Sequence, residues 1–146
     1  MNLSPPLDLD PRWFKMAGVA YTMAKYGMSL CVLGMAEEFR DEGVAFNALW
    51  PRTGIATAAI KNHLGGDEAM QSCRTVDIMA DAAYVVLTQP SRECTGNFFI
   101  DDSLLFEHGE RDFDKYRVNP AYDLMPDFFV PEDMPPPEGV HLEKIS

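Results

Sequence analysis

Tyr21 and Lys25 stand four residues apart in the run Ala20-Tyr21-Thr22-Met23-Ala24-Lys25-Tyr26-Gly27-Met28. The run reads as helix, and residues at i and i+4 share a helix face. A phenol and an ammonium on one face can address one reacting group. A free tyrosine titrates near ~10, too high for ready proton transfer at neutral pH. A nearby cation favours the phenolate, which makes the pair a candidate general acid and base. The spacing alone fits a core tyrosine beside a solvated lysine equally well. The surroundings have to decide.

Those surroundings alternate. Residues 1–11 hold Pro5, Pro6 and Pro11 and read as loop, entered from a strand before Met1. A helix is expected from about Pro11, and more firmly from Ala17, to Arg40–Glu42, with Gly43 as its C-cap residue. Val19, Met23, Leu30, Val32, Leu33 and Met35 leave nearly every face apolar, which predicts burial on both sides. Val44–Trp50 reads as a short buried strand stopped by Pro51. A loop at 51–56 and a short helix at 57–64 follow, then Asp67 as the N-cap of a turn. Thr75 is expected to cap a second long helix through about Thr88. Gly96–Asp101 reads as a second strand. Beyond Asp112 the prolines at 120, 126, 131 and 135–137 predict an irregular tail, docked or loose. Helix, strand, helix, strand in this order implies a parallel α/β layer. Two strands do not make a stable doubly wound sheet alone, so a missing part is expected upstream.

Acids outnumber bases 23 to 12, for a net charge of −11 over 146 residues. Residues 101–146 hold 12 of those acids and only 4 bases. An acidic chain without a basic stripe argues against nucleic acid and anionic membrane as partners. Cys31, Cys73 and Cys94 give neither a disulfide framework nor a zinc signature, and a reducing, cytoplasmic setting is the simplest expectation. His63, His108 and His141 are not at ligand spacing, so no metal is expected. No apolar run is long enough for a membrane span. The first residues lack a signal-peptide pattern, and Glu143-Lys144-Ile145-Ser146 is no recognisable address.

Five segments in order resemble the short-chain dehydrogenase/reductase family, in its hydroxysteroid dehydrogenase-like branch. They are Leu3-Ser4-Pro5-Pro6-Leu7, the Tyr21–Lys25 run, Gly34–Phe39, Asn47-Ala48-Leu49-Trp50-Pro51 and Thr95–Asp101. The resemblance covers about residues 3–130. It implies a Rossmann-like doubly wound parallel sheet, of which residues 1–118 would be the incomplete C-terminal half and 119–146 a Pro-rich acidic tail. The family's Thr-Gly-x-x-x-Gly-x-Gly segment is absent here.

The resemblance also implies roles. Tyr21 would pass a proton to or from a carbonyl oxygen while hydride is transferred. Lys25 would lower the Tyr21 pKa and hold ribose hydroxyls. Ser4 would hydrogen-bond the substrate carbonyl, although it lies farther before the tyrosine than is usual. Pro51, Ile55 and Thr57 would meet the cofactor, which would be NAD or NADP with NADP slightly favoured. Asn47 belongs to the same segment. Arg52 stands where the family commonly has Gly, and reads as a solvated side chain or a ligand for an anionic substrate. Trp13, Phe14 and Met16 would line an apolar substrate pocket, or else belong to the core or a subunit contact. A homodimer through helix 17–41 is implied as well. The substrate would be a small alcohol or ketone, lipid-like if the pocket is apolar. Against this stands a second expectation: a truncated, inactive fragment that acts at most as an interaction or dimerisation partner.

Overall fold

A computed structural model describes residues 1–143. Its elements are α1 (Arg12–Ala17), α2 (Val19–Glu38), β1 (Ala48–Trp50), α3 (Ala58–His63), α4 (Gly66–Gln71), α5 (Asp77–Leu87), β2 (Phe98–Ile100), α6 (Asp101–Glu107) and a 3-10 turn at Asp114–Tyr116. The last residues of the expected tail, 144–146, which are also the last three of the terminal tetrapeptide, lie outside the described residues.

The sheet is parallel, as alternation requires. Ala48, Leu49 and Trp50 pair with Phe98, Phe99 and Ile100. On the other edge of β1, Asn2 forms a parallel bridge to Ala48, with Leu49 N–H donating to Asn2 O at 2.9 Å. All three β1 residues are buried, the pattern of a strand covered on both faces. Side chains alternate across the sheet. Leu49 packs with Ile78, Ala82 and Val86 of α5, Leu104 and Leu105 of α6, and Leu124 and Val140 of the tail. Trp50 and Ile100 pack on the opposite side with Trp13, Tyr26 and Phe129. Asn47 stitches the strand entrances: its Nδ2 donates to Cys94 O at 2.8 Å and its Oδ1 accepts from Asn97 N at 3.1 Å.

Several boundaries differ from expectation. The first helix is two, broken at Gly18, whose φ of 80° suits glycine and ends α1. α2 stops at Glu38, and a turn carries the chain to Gly43. Its buried stripe is Thr22, Tyr26, Ser29, Val32 and Ala36, while Val19, Met23, Leu30 and Leu33 are exposed. Burial on both sides therefore does not hold within this chain. Val76, not Thr75, occupies the N-cap of α5; the Thr75 hydroxyl donates to Asp77 instead. Asp67 sits in the first turn of α4 rather than before it. The tail is docked: Gly54 N–H donates to Met125 O, and Asp127 N–H to Arg52 O, both at 2.9 Å.

Arg52 overturns both sequence readings of it. It is 2% exposed, so it is not solvated, and its guanidinium is taken up by internal partners rather than offered to an anionic substrate. Its Nε donates to both Asp102 oxygens at 2.7 and 3.0 Å. Nη1 reaches Met134 O and Nη2 reaches Ser103 Oγ, each at 2.7 Å. Arg74 Nη1 meets the same Asp102 carboxylate at 3.0 Å. Asp101 caps the cluster, its Oδ1 accepting from the backbone N–H of Arg52 and of Asp102. Burial, then the Asp102 charge, push the Asp101 pKa up. Removing one partner of a buried ion pair strands the other, at a cost of about 3–5 kcal/mol. Asp102→Ala is expected to destabilise the chain by that order in urea denaturation; a loss under about 1 kcal/mol, the worth of an exposed pair, would show that the cluster is not a structural anchor.

Candidate active site

The loop after β1 and the docked tail wall a cavity of about 490 Å³ against the start of α2. Its lining includes Tyr21, Pro51, Ile55 and Thr57, four of the residues singled out in the sequence. Met16, Ala17, Ile60, His63, Asp127 and Phe128 complete most of the wall. Each position has a local cause. Gly18 turns the chain so that α2 begins just before Tyr21. Pro51 ends β1, and the following loop is held by Gly54 and Ala56 on the Arg74 backbone. That pairing uses Gly54 O and Ala56 N–H. Among the described residues, neither Ile55 N–H nor Ile55 C=O makes a backbone bond. Thr57 sits at the N-cap of α3, and its hydroxyl makes no capping bond.

Lys25 and Ser4 stand apart from this lining. The Lys25 ammonium donates to Leu3 O at 3.1 Å. It lies 5.0 Å from the Trp50 ring centroid and 5.9 Å from that of Tyr21. Ser4 is fully buried, and its hydroxyl has no partner among the described residues. Lys25 is thus bonded to the residue that precedes Ser4, while the Ser4 hydroxyl itself contacts neither Lys25 nor Tyr21 by a hydrogen bond among the described residues. Trp13 is core, 4% exposed. Phe14 meets Tyr26 edge-on at the surface. Of that trio, only Met16 reaches the cavity.

The expected lowering of the Tyr21 pKa is not found. Burial, and then the charge of Asp127, raise it. The ammonium of Lys25 makes no hydrogen bond to the phenol among the described residues, and its contact is with the ring face. A raised pKa keeps the phenol protonated at neutral pH.

The sequence reading missed the tail. Phe129 is fully buried and takes a φ of 66°, a left-handed conformation uncommon for a bulky residue and held only where packing over-determines it. Its ring meets Trp13 at 5.6 Å, Tyr21 at 6.0 Å, Tyr26 at 5.3 Å and Trp50 at 6.1 Å. That plug sets Asp127, two residues earlier, into the cavity wall. Burial raises the Asp127 pKa to about 6, opposed by the Phe128 N–H and by Lys25. The only signal for this in the sequence is an acid beside two phenylalanines inside the Pro-rich stretch.

The sign of the Asp127 effect on stability follows. Native Asp127 holds its proton to about pH 6, whereas an unfolded Asp releases it near ~3.9. The native state binds more protons in that window, so stability falls as pH rises through it. Asp127→Asn is expected to raise the melting temperature at about pH 7.5 and to lose that advantage near about pH 4. Thermal melts at the two pH values check this; a variant less stable at the higher pH would refute it.

The chain was compared with known proteins. No family model matches it. Over all 146 residues it is 56% identical to hydroxysteroid dehydrogenase-like protein 2 of Rattus norvegicus, covering 26% of that protein. It is 54% identical over 132 residues to the Homo sapiens protein of the same name, covering 31% of it. The chain thus spans about a quarter to a third of the length of these curated relatives. Among solved structures, a short-chain dehydrogenase of Mycobacterium thermoresistibile superposes with a TM-score of 0.80 at 50% identity, covering 97% of this chain and 49% of that one. A candidate dehydrogenase of Xanthomonas campestris gives 0.79 at 50% identity, covering 89% and 47%.

Proposed function

We propose, from the premise that this chain belongs to the short-chain dehydrogenase/reductase family and spans part of that fold, that its residues form the reacting portion of an NAD(P)-dependent oxidoreductase acting on an alcohol or ketone. The observation that carries this is the single cavity that gathers Tyr21 with Pro51, Ile55 and Thr57.

The residues fit a nicotinamide group. The unbonded N–H and C=O of Ile55 offer one donor and one acceptor, which a carboxamide needs. The Thr57 hydroxyl, free of its helix, is available to a phosphate or amide. Lys25 has two further N–H donors beyond the Leu3 bond for ribose hydroxyls. When bound, the nicotinamide supplies or accepts a hydride.

Tyr21 handles the proton. Its phenol, held protonated, is suited to donate to a carbonyl oxygen as that oxygen gains charge. In the reverse direction the phenolate would accept a proton from the alcohol, and Lys25 stabilises that state more than the neutral one. The orphaned hydroxyl of Ser4 supports a role in bonding the substrate oxygen, while its burial behind the lining counts against one. Met16, Ala17, Ile60, Leu64 and Phe128 make most of the remaining wall apolar, with His63 and Asp127 as its polar members, which suits a lipid-like or aromatic substrate skeleton. The slight preference for NADP over NAD rests on the family resemblance and on no contact among the described residues.

Turnover is best measured in a protein joining this chain to the remaining segment of the Mycobacterium dehydrogenase, by absorbance of the reduced cofactor. Tyr21→Phe is expected to lower kcat at least about a hundredfold, the usual scale of a general acid or base. Unchanged turnover would remove Tyr21 from the reaction.

One observation favours a second reading, in which the chain serves as an interaction or dimerisation partner. α2 turns Val19, Met23, Leu30 and Leu33 outward, and a large exposed apolar face marks an association surface. Light scattering after size exclusion is expected to show a dimer that Leu30→Lys with Leu33→Lys disperses. A compact monomer of the unaltered chain would set this reading aside.

A further inference from the structure

The docked tail brings a carboxylate to the cavity that the proposed reaction uses. Asp127 lines that cavity beside Tyr21, Met16, Pro51 and Phe128. It also lines the neighbouring cavity of about 470 Å³, with Trp13, Arg52 and Met134, and so stands in the wall between the two. Its backbone is fixed, the N–H donating to Arg52 O at 2.9 Å. Its Oδ1 accepts from Phe128 N–H at 2.7 Å. Among the described residues, no hydrogen bond engages Oδ2. The charge of Lys25 reaches the carboxylate, yet its ammonium is bonded to Leu3 O. A carboxylate oxygen left open among apolar groups favours a ligand that brings a donor. A cationic donor would be opposed by the Lys25 ammonium, whose charge reaches this carboxylate from outside the lining, so a neutral hydroxyl is the better match.

We propose that Asp127 is a specificity-determining residue of this cavity, its open Oδ2 accepting a hydrogen bond from a substrate hydroxyl and so selecting hydroxy ketones over their deoxy analogues. This deepens the oxidoreductase reading and rests on the cavity being the substrate site. Lipid-like skeletons remain compatible, since the lining apart from Tyr21, Thr57, His63 and Asp127 is apolar, but they must carry a hydroxyl apart from the reacting carbonyl. A site that bonds a hydroxyl disfavours the analogue that lacks it, because the bound deoxy ketone shuts water off from the half-buried acceptor without replacing the bond.

The test is binding of 4-hydroxycyclohexanone and of cyclohexanone to the 146-residue chain, followed by saturation-transfer NMR. The hydroxy ketone is expected to bind about tenfold tighter, the scale of one hydrogen bond to a charged group. Asp127→Leu is expected to abolish the preference. Asp127→Asn keeps an uncharged acceptor, is the measurement of record should the leucine variant not fold, and is expected to keep only part of the preference. Equal binding of the two ketones, no binding of either, or a preference unchanged in the Asp127 variants overturns the proposal. A preference that depends on Asp127 in a protein without turnover would sustain it while overturning the oxidoreductase reading.

Discussion

Asp102 is the constraint on which the rest depends. One carboxylate, fully buried at the start of α6, receives Arg52 from the loop after β1 and Arg74 from the segment before α5. Arg52 then reaches on to Met134 in the tail. Four parts of the chain, far apart in sequence, are thereby fixed against one another. None of these charges is tolerable alone in that interior, since an unpaired buried ion costs several kcal/mol. The cluster therefore specifies a single arrangement of loop, helix and tail. Arg74 Nε and Nη2 have no partner among the described residues, so the satisfaction is incomplete on that side.

The cavity inherits this arrangement. Pro51 and Arg52 are adjacent, and the carbonyl of Arg52 accepts the N–H of Asp127. Holding Arg52 thus holds both the floor of the cavity and the tail that closes it. Phe129 completes the closure by packing among Trp13, Tyr21, Tyr26 and Trp50. A backbone held at positive φ costs about 1–3 kcal/mol, which the burial of an aromatic ring of this size offsets. Tyr21 consequently presents its phenol from a stacked, oriented ring. Its raised pKa comes from the same packing and from Asp127.

Much of this was legible in the sequence. The Tyr21–Lys25 spacing, the strand ending at Pro51 and the loop through Thr57 depend on local patterns, and the structure brings Tyr21, Pro51, Ile55 and Thr57 to one cavity. What could not be read depends on contacts between distant residues. The partner of Arg52 is 50 residues away, so nothing nearby in the chain marks it as buried. α6 begins with Asp101, Asp102 and Ser103 directly after β2, polar residues that look like the end of a strand. The tail has no period, and the burial of Phe129 and Val140 is a tertiary fact. α2 misled for the opposite reason: its apolar residues are real, but within this chain they face outward while small and polar side chains face in.

The central claim is that the loop at Pro51–Thr57 and Tyr21 together hold a nicotinamide. Reduced nicotinamide mononucleotide tests it most directly, because it lacks the adenylate portion that a glycine-rich segment would bind. Titrated into isotopically labelled chain and followed by NMR, it should shift the Ile55 and Thr57 amides and the Tyr21 ring along one saturable curve. Shifts that never saturate, or that fall elsewhere in a chain whose spectrum is otherwise that of a folded protein, would contradict the account.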